Sequence, residues 1–231
     1  MAGLQVRFAA HQALSRTSAW LPDSPRTLGH MNMDEASIEW LEAVSAALEV
    51  GQKFISSLDE FDLACGHIAQ LLEDASTLLG AGSHSTATFL AITAIEEIAK
   101  THIGMFRNSG HAIKRSKDPL YRHQDKHRMA VGPTVLMGER IVKALGTDRL
   151  HELVGMAKSG KLVELRETAL YISQSATGLQ SPATAVNRAT ARELLLLAVE
   201  VFDDSLVGYS NYTFALSAQT DKIFLRWDRA A

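Results

Sequence analysis

Residues 87–106 read ATFLAITAIEEIAKTHIGMF, and this stretch decides the fold. Placed on a helical wheel at about 100° per residue, its Ile, Ala, Met and Phe side chains cover a broad arc rather than a narrow stripe. A helix with so wide an apolar arc must be covered by several neighbours. Ser83 or Ser85 is a suitable N-cap. The stretch therefore predicts a helix from there to about Arg107 that organises a helical bundle.

The composition agrees with an all-α fold. Leu and Ala, which favour helices, dominate an apolar fraction of 46%, and the chain has only 5 prolines. Helical periodicity recurs along the chain, and no strand pattern is strong enough to predict a sheet. We therefore expect an antiparallel helical bundle with extra helices.

The other helices are predicted from their apolar spacing and their flanking turn residues. The first helix carries Ile38, Leu41, Val44 and Leu48 on one face and ends near Gly51. A helix over 58–79 is followed by a Gly-Ala-Gly turn, so it should form a hairpin with the central helix. The remaining predicted helices cover residues 121–145, with a disturbance at Gly132-Pro133, and then residues 147–158, 160–173 and 181–214.

Charge and cysteine content exclude several classes of protein. The formal net charge is -3, so a role with nucleic acid would need a local basic patch. The one cysteine, Cys65, excludes an internal disulfide and a cysteine-based zinc cage. It suits a reducing cytoplasm, and we expect it to be a buried packing residue. No run of 18 apolar residues is present, so we expect no membrane span.

The first residues differ from the rest in composition. Arg7, Arg16 and Arg26 lie there, and no acidic residue precedes Asp23. This is loosely typical of a transit peptide, but we favour a disordered arm or a start site at Met31 or Met33. We therefore divide the chain into a flexible N-terminal arm, 1–32, and a helical domain, 33–231.

Glu96 occupies an unusual place on the central helix. It falls at the edge of the apolar arc, about 20° from Ile103, whereas Glu97 lies on the polar side. A lone buried carboxylate is costly, so Glu96 should be held by Lys100 at i+4 or by another cation. A salt bridge at the rim of the bundle is the structural alternative to a functional site.

A basic segment, 122–128, follows the central helix and carries candidate catalytic residues. Arg122 and His127 have the types needed to cleave RNA, because histidine transfers protons near neutral pH and arginine clamps phosphate. The alternative is a solvated helix start. His123 and His127 also have the i,i+4 spacing of a metal site, but Gln124 stands where a metalloprotease has Glu, and we expect no metal.

Two of these segments together resemble a known family. The first is 68–100, which ends in Ala94-Ile95-Glu96-Glu97-Ile98-Ala99-Lys100, and the second contains His123 and Lys126; residues 165–171 agree with both. Over about residues 55–215 the chain is similar to the AbiV abortive-infection family of the HEPN superfamily. The resemblance implies a HEPN-like bundle, a homodimer and antiphage defence. Many HEPN proteins are ribonucleases that need no metal or other cofactor.

The resemblance and the residues together suggest two functions, beside the alternative of a HEPN-like protein that has lost activity and serves as an interaction partner. The first is an antiphage effector that arrests growth by acting on RNA or translation, with catalytic Arg122 and His127. Its site would be supported by His123, Lys126, Glu96 and Lys100. The second is a non-enzymatic helical module that blocks translation or senses a phage protein. Both would act in the cytoplasm, without a cofactor.

Overall fold

The computed structural model describes residues 33–107, 113–132, 135–136, 138–175 and 178–228. These residues are mostly helical, with one two-stranded sheet, so the predicted all-α class is confirmed. The predicted arm, 1–32, lies outside the described residues, as do residues 108–112 of the loop after the central helix. Among the described residues, no helix is long and apolar enough to cross a membrane.

The helices follow one another with short connections. In chain order they are α1 (Met33–Glu49), α2 (Leu58–Gly80), α3 (His84–Phe106), α4 (His123–Ala130), α5 (Glu139–Leu145), α6 (Thr147–Ser159), α7 (Lys161–Leu170), α8 (Pro182–Ala185), α9 (Arg188–Leu206) and α10 (Asn211–Asp228). Two 3-10 turns, Arg115–Lys117 and Pro119–Tyr121, lead into α4. Strands β1 (Ser173–Ser175) and β2 (Gly178–Gln180) pair antiparallel between α7 and α8.

Helix α3 is the centre of the bundle. It packs against α2 and α9 most extensively and against α4 and α7 on its other sides. Ile92, Ile95 and Ile98 are completely buried, as are the four consecutive leucines 194–197 of α9. The broad apolar arc thus reflects a helix with neighbours on most sides, as predicted.

The α2–α3 hairpin forms where the sequence predicts it. The Ser57 side chain accepts a hydrogen bond from the backbone N–H of Glu60, which caps the start of α2. At the turn, Gly82 has a φ of 81°, a value that glycine adopts at little cost. The Ser83 N–H then donates to the carbonyl of Leu78, which closes the helix end.

Two predicted long helices are shorter than expected. The helix predicted over 121–145 is divided into α4 and α5, because a Gly132-Pro133 pair disfavours helix at Gly132 and removes a backbone donor. The helix predicted over 181–214 is divided twice. The Asn187 side chain accepts from the N–H of Thr190 and so starts α9 afresh, and Gly208, with a φ of 95°, separates α9 from α10.

The predicted apolar face of α1 is wrong in its first half. Ile38 and Leu41 are 55% and 40% exposed. The helix instead turns Trp40 inward, whose indole N–H donates to the carbonyl of Met129 in α4 at 2.9 Å. Trp40 and Val44 are four residues apart and share the face that packs on the core. The rotation of α1 about its axis is therefore set by a hydrogen bond to another helix, which the pattern of apolar residues does not predict.

Replacement of Leu196 in α9 should test how much the packing around α3 contributes to the stability of the protein. Leu196→Ala removes a completely buried side chain and should lower the free energy of unfolding by about 2–5 kcal/mol. Leu63 is 77% exposed, so Leu63→Ala is the matched control and should change it by less than about 0.5 kcal/mol. Urea unfolding measures both; equal effects would contradict the described packing.

Candidate active site

A carboxylate lies inside the bundle, in the middle of α3. Glu96 is only 2% exposed, and Ile95 and Ile98 beside it on α3 are completely buried. An ionised carboxylate at such a position requires hydrogen bonds and opposite charge, because its solvation is lost. The prediction that Glu96 is at the edge of the apolar arc is consistent with this burial.

Helix α4 supplies the partners of Glu96. Nδ1 of His123 lies 2.8 Å from both carboxylate oxygens, and Nζ of Lys126 donates to Oε2 at 2.6 Å. Nε2 of His127 is 3.1 Å from Oε1. These three residues have i, i+3 and i+4 spacing and therefore share one face of α4. The two carboxylate oxygens of Glu96 thus orient the three side chains on this face of α4.

Arg166 from α7 completes the cluster. Its Nε is 3.5 Å from Oε1 of Glu96, and its guanidinium lies 4.7 Å from the centroid of the Phe89 ring. The side chain is 17% exposed. Sequence reasoning missed this residue, and the signal for it was its place in the segment 165–171 that resembles the family. Lys126 and Arg166 together carry one more positive charge than the single carboxylate balances.

The surroundings of Glu96 keep it ionised. Burial by itself raises the pKa of Glu96, but hydrogen bonds from His127 and Lys126, together with their charges, lower it from 4.5 to about 2. The carboxylate is therefore ionised at neutral pH.

His123 combines a fixed orientation with access to solvent. Its side chain is 42% exposed while its Nδ1 faces the buried Glu96 carboxylate. An ionised carboxylate only accepts, so Nδ1 of His123 donates and, in the neutral imidazole, Nε2 carries the lone pair. Nε2 has no hydrogen-bond partner among the described residues. A carboxylate that orients a histidine in this way is a common arrangement in acid–base catalysis.

The structure does not bring Arg122 and His127 into one cleft. The Arg122 side chain is 55% exposed and pairs with Asp125 at 3.1 Å, whereas His127 is completely buried. The reason is that α4 begins at His123, so Arg122 precedes the first turn and His127 lies on the face toward α3. Nδ1 of His127 has no hydrogen-bond partner in the described part of the chain. A catalytic role for this pair stays a prediction.

The pairing of Lys100 with Glu96 is wrong. Lys100 forms its ion pair with Glu97, and its Nζ lies 5.0 Å from the centroid of the Phe54 ring. Glu96 faces α4, so the alternative expectation, that another cation holds it, describes the site. Lys100 therefore belongs to a different side of α3.

No group of three or more His, Cys, Asp or Glu residues within the described ranges has the arrangement of a metal site. The i,i+4 histidines of α4 do face the same carboxylate, but the ammonium group of Lys126 already contacts Oε2. Cys65 is buried, and burial, followed by the charge of Asp62, raises the pKa of its thiol to about 12, so it is an inert packing residue.

Comparison with known families gives a match over residues 60–203, to the family model described as AbiV within the HEPN superfamily. This is more than half of the chain. The protein belongs to the AbiV family. Comparison with curated proteins and with solved structures found no match.

Membership of the AbiV family places the protein among abortive-infection defence proteins. The matched region extends from the first turn of α2 to within the last turn of α9. It therefore includes Glu96, the three α4 residues that contact it, and Arg166. The buried cluster lies entirely in the part of the chain that carries the family pattern.

Acid unfolding should reveal the ionised state of Glu96. The pKa of Glu96 in the folded protein, about 2, lies below the 4.5 of an ordinary glutamate. The contribution of its ionised form to the free energy of unfolding is therefore complete above pH 4.5 and is lost as the pH falls toward 2. The full contribution is about 3 kcal/mol. Glu96→Gln should remove this dependence and, because Lys126 remains buried, lower the free energy of unfolding at pH 7 by about 3–5 kcal/mol.

Glu97→Gln is the control for that experiment, because the Glu97 side chain is 24% exposed and pairs with Lys100 at the surface. Urea unfolding between pH 7 and pH 3 measures both variants. If the stability of Glu96→Gln declines below pH 4.5 as steeply as that of Glu97→Gln, Glu96 is not the ionised group described here.

Proposed function

We propose that this protein is an abortive-infection effector that arrests growth by cleaving RNA without a metal ion, in the cytoplasm. The observation that carries the proposal is the half-exposed His123, whose Nδ1 is held by both oxygens of the buried Glu96. Such a histidine has one nitrogen fixed and the other available to a substrate. Membership of a family of abortive-infection proteins supports the biological role.

The proposed reaction is an attack of the RNA on itself. Nε2 of His123 takes the proton of a 2′-hydroxyl, whose oxygen attacks the adjacent phosphorus. The bond from phosphorus to the 5′ oxygen breaks, and that oxygen accepts a proton. The products carry a 2′,3′-cyclic phosphate and a 5′-hydroxyl. Glu96 stabilises the imidazolium that His123 becomes during the step.

In this mechanism a cation must also bind the phosphate. Arg122 directly precedes His123 and is exposed, so its guanidinium can hold two phosphate oxygens.

The attacking and leaving oxygens lie on opposite sides of the phosphorus, and one imidazole cannot reach both. We therefore propose that a second copy of the chain supplies the His123 that protonates the leaving oxygen.

Cleavage of total RNA by the purified protein in EDTA tests this mechanism. His123→Gln should reduce the cleavage rate by about 10²–10⁴-fold, because the proton-transfer group is lost. The control is His67→Gln, since His67 is exposed on α2 and has no contact with Glu96. Mass spectrometry of the products should find 2′,3′-cyclic phosphate ends.

Two results would exclude the proposed reaction. One is an activity that EDTA abolishes or that yields 3′-hydroxyl ends. The other is an unchanged cleavage rate in His123→Gln, because no other described histidine combines contact with Glu96 and solvent access.

A non-enzymatic function is the second candidate, and exposed apolar side chains support it. Ile172 and Leu179, beside and within the β1–β2 hairpin, are 69% and 81% exposed, as is common at surfaces that bind proteins. If this candidate is correct, His123→Gln should still arrest growth when expressed in bacteria, and the double variant Ile172→Asp, Leu179→Asp should not. Leu63→Asp, at an equally exposed position on α2, controls for surface charge.

A further inference from the structure

A cavity lies beside the segment that leads into α4. It has a volume of about 300 Å³ and is formed by the α1–α2 connection, the residue after α3 and the two 3-10 turns. This is within the range of volumes that bind small molecules. Four of its side chains carry the argument that follows: Lys53, Phe54, Arg115 and Tyr121.

The base of this cavity is rigid and electrically neutral. Arg107 is 1% exposed and binds Asp118 through two hydrogen bonds, of 2.9 and 2.5 Å, and its Nε donates to the carbonyl of Ala47. Gly51, with a φ of 80°, lies against this pair; a Cβ there would be 2.5 Å from Nη1 of Arg107. The one carboxylate of the cavity is thus already neutralised.

The rim of the cavity is positive. Lys53 and Arg115 are exposed, and neither forms an ion pair with any residue that the structure describes. Because the Asp118 charge is balanced by Arg107, these two cations leave the cavity with an excess of two positive charges. In a chain of net charge -3, such a local excess favours an anion, such as a phosphate.

The rim also offers flat surfaces. The Arg115 guanidinium lies 4.4 Å from the centroid of the Tyr121 ring, and Phe54, which also lines the cavity, is 36% exposed. Guanidinium planes and aromatic rings are the groups on which unpaired nucleobases stack. A ligand with both an anionic and a flat aromatic part, a nucleoside phosphate, fits this combination.

The cavity adjoins the candidate active site. Tyr121 is two residues before His123, so the two Cα atoms are at most about 7.6 Å apart. Arg122, between them, is exposed. An RNA strand with one phosphate at Arg122 and His123 could therefore place a neighbouring nucleotide at the cavity.

We propose that this cavity binds a nucleotide of single-stranded RNA next to the bond that is cleaved, with Lys53 and Arg115 on its phosphate and the base stacked at the Arg115–Tyr121 surface. The proposal rests on the function proposed above for His123. It assigns to the cavity a preference for unpaired RNA, since a stacked and paired base could not enter.

Binding of an uncleavable strand tests the proposal separately from catalysis. The probe is a fluorescent 2′-O-methyl single-stranded RNA oligonucleotide, which lacks the attacking hydroxyl, and anisotropy is measured over a range of salt concentrations. The double variant Lys53→Ala, Arg115→Ala should bind at least about tenfold more weakly at low salt. The slope of log affinity against log salt should flatten by about 0.7 for each cation removed.

Lys222→Ala is the matched control, because Lys222 is an exposed lysine on α10, which packs on α2 and α9. It should bind the strand like the unmodified protein. Circular dichroism establishes that each variant is folded. Unchanged affinity of the double variant for the strand overturns the proposal. A second result also overturns it: the double variant loses binding of AMP but binds the strand normally. The cavity would then be a site for a free nucleotide and not for RNA.

Failure of catalysis has a different signature. If ordinary RNA is not cleaved but the 2′-O-methyl strand binds with the expected dependence on Lys53 and Arg115, the cavity binds RNA and the ribonuclease mechanism is excluded. If RNA is cleaved through His123 while the double variant binds and cleaves normally, the mechanism stands and the cavity is not its subsite.

Discussion

The ionised side chain of Glu96 is the constraint on which the arrangement of this bundle depends. The carboxylate lies on α3, whose side chains are mostly apolar and buried, where an uncompensated charge would be very costly. Its compensation comes from other helices: Lys126 and two histidines from α4, and Arg166 from α7. Any rotation or shift of α4 would separate these groups from Glu96, so the charge fixes the position of the basic segment as well as its orientation.

A second buried ion pair holds the residues that lead into the basic segment. Arg107, directly after α3, binds Asp118, and the Asp118 side chain also accepts from the N–H of Leu120 in the turn that precedes α4. The Arg107–Asp118 ion pair thus holds the residues before α4, and the Lys126–Glu96 ion pair holds α4 itself. Hydrogen bonds between charged groups in apolar surroundings are strongly directional. Residues 118–127 are thus held by Arg107 at Asp118 and by Glu96 at α4, while Arg122 and the outer side of His123 are exposed to solvent.

The sequence predicts the local structure better than the contacts between distant segments. The apolar arc of α3, the hairpin turn before it and the all-leucine run of α9 follow from periodicity, which depends on neighbours within a few residues. The rotation of α1 depends on a hydrogen bond of Trp40 to a carbonyl 89 residues away, which no local pattern contains. The partner of Glu96 shows the same limit. Lys100 was the nearest cation on its own helix, but His123, Lys126 and His127 lie 27 to 31 residues away.

The two histidines of α4 show how one spacing produces two chemical environments. Both contact the same carboxylate, but His127 is on the inner side, completely buried, and His123 is on the outer side, 42% exposed. A group that must accept and release a proton with a substrate needs access, and a group that only holds a neighbouring charge does not. The basic segment contains both histidines, and of the two only His123 is accessible to a substrate. This difference in access is the reason why the function proposed above relies on His123, whereas Arg122 and His127 are the pair that the sequence predicts.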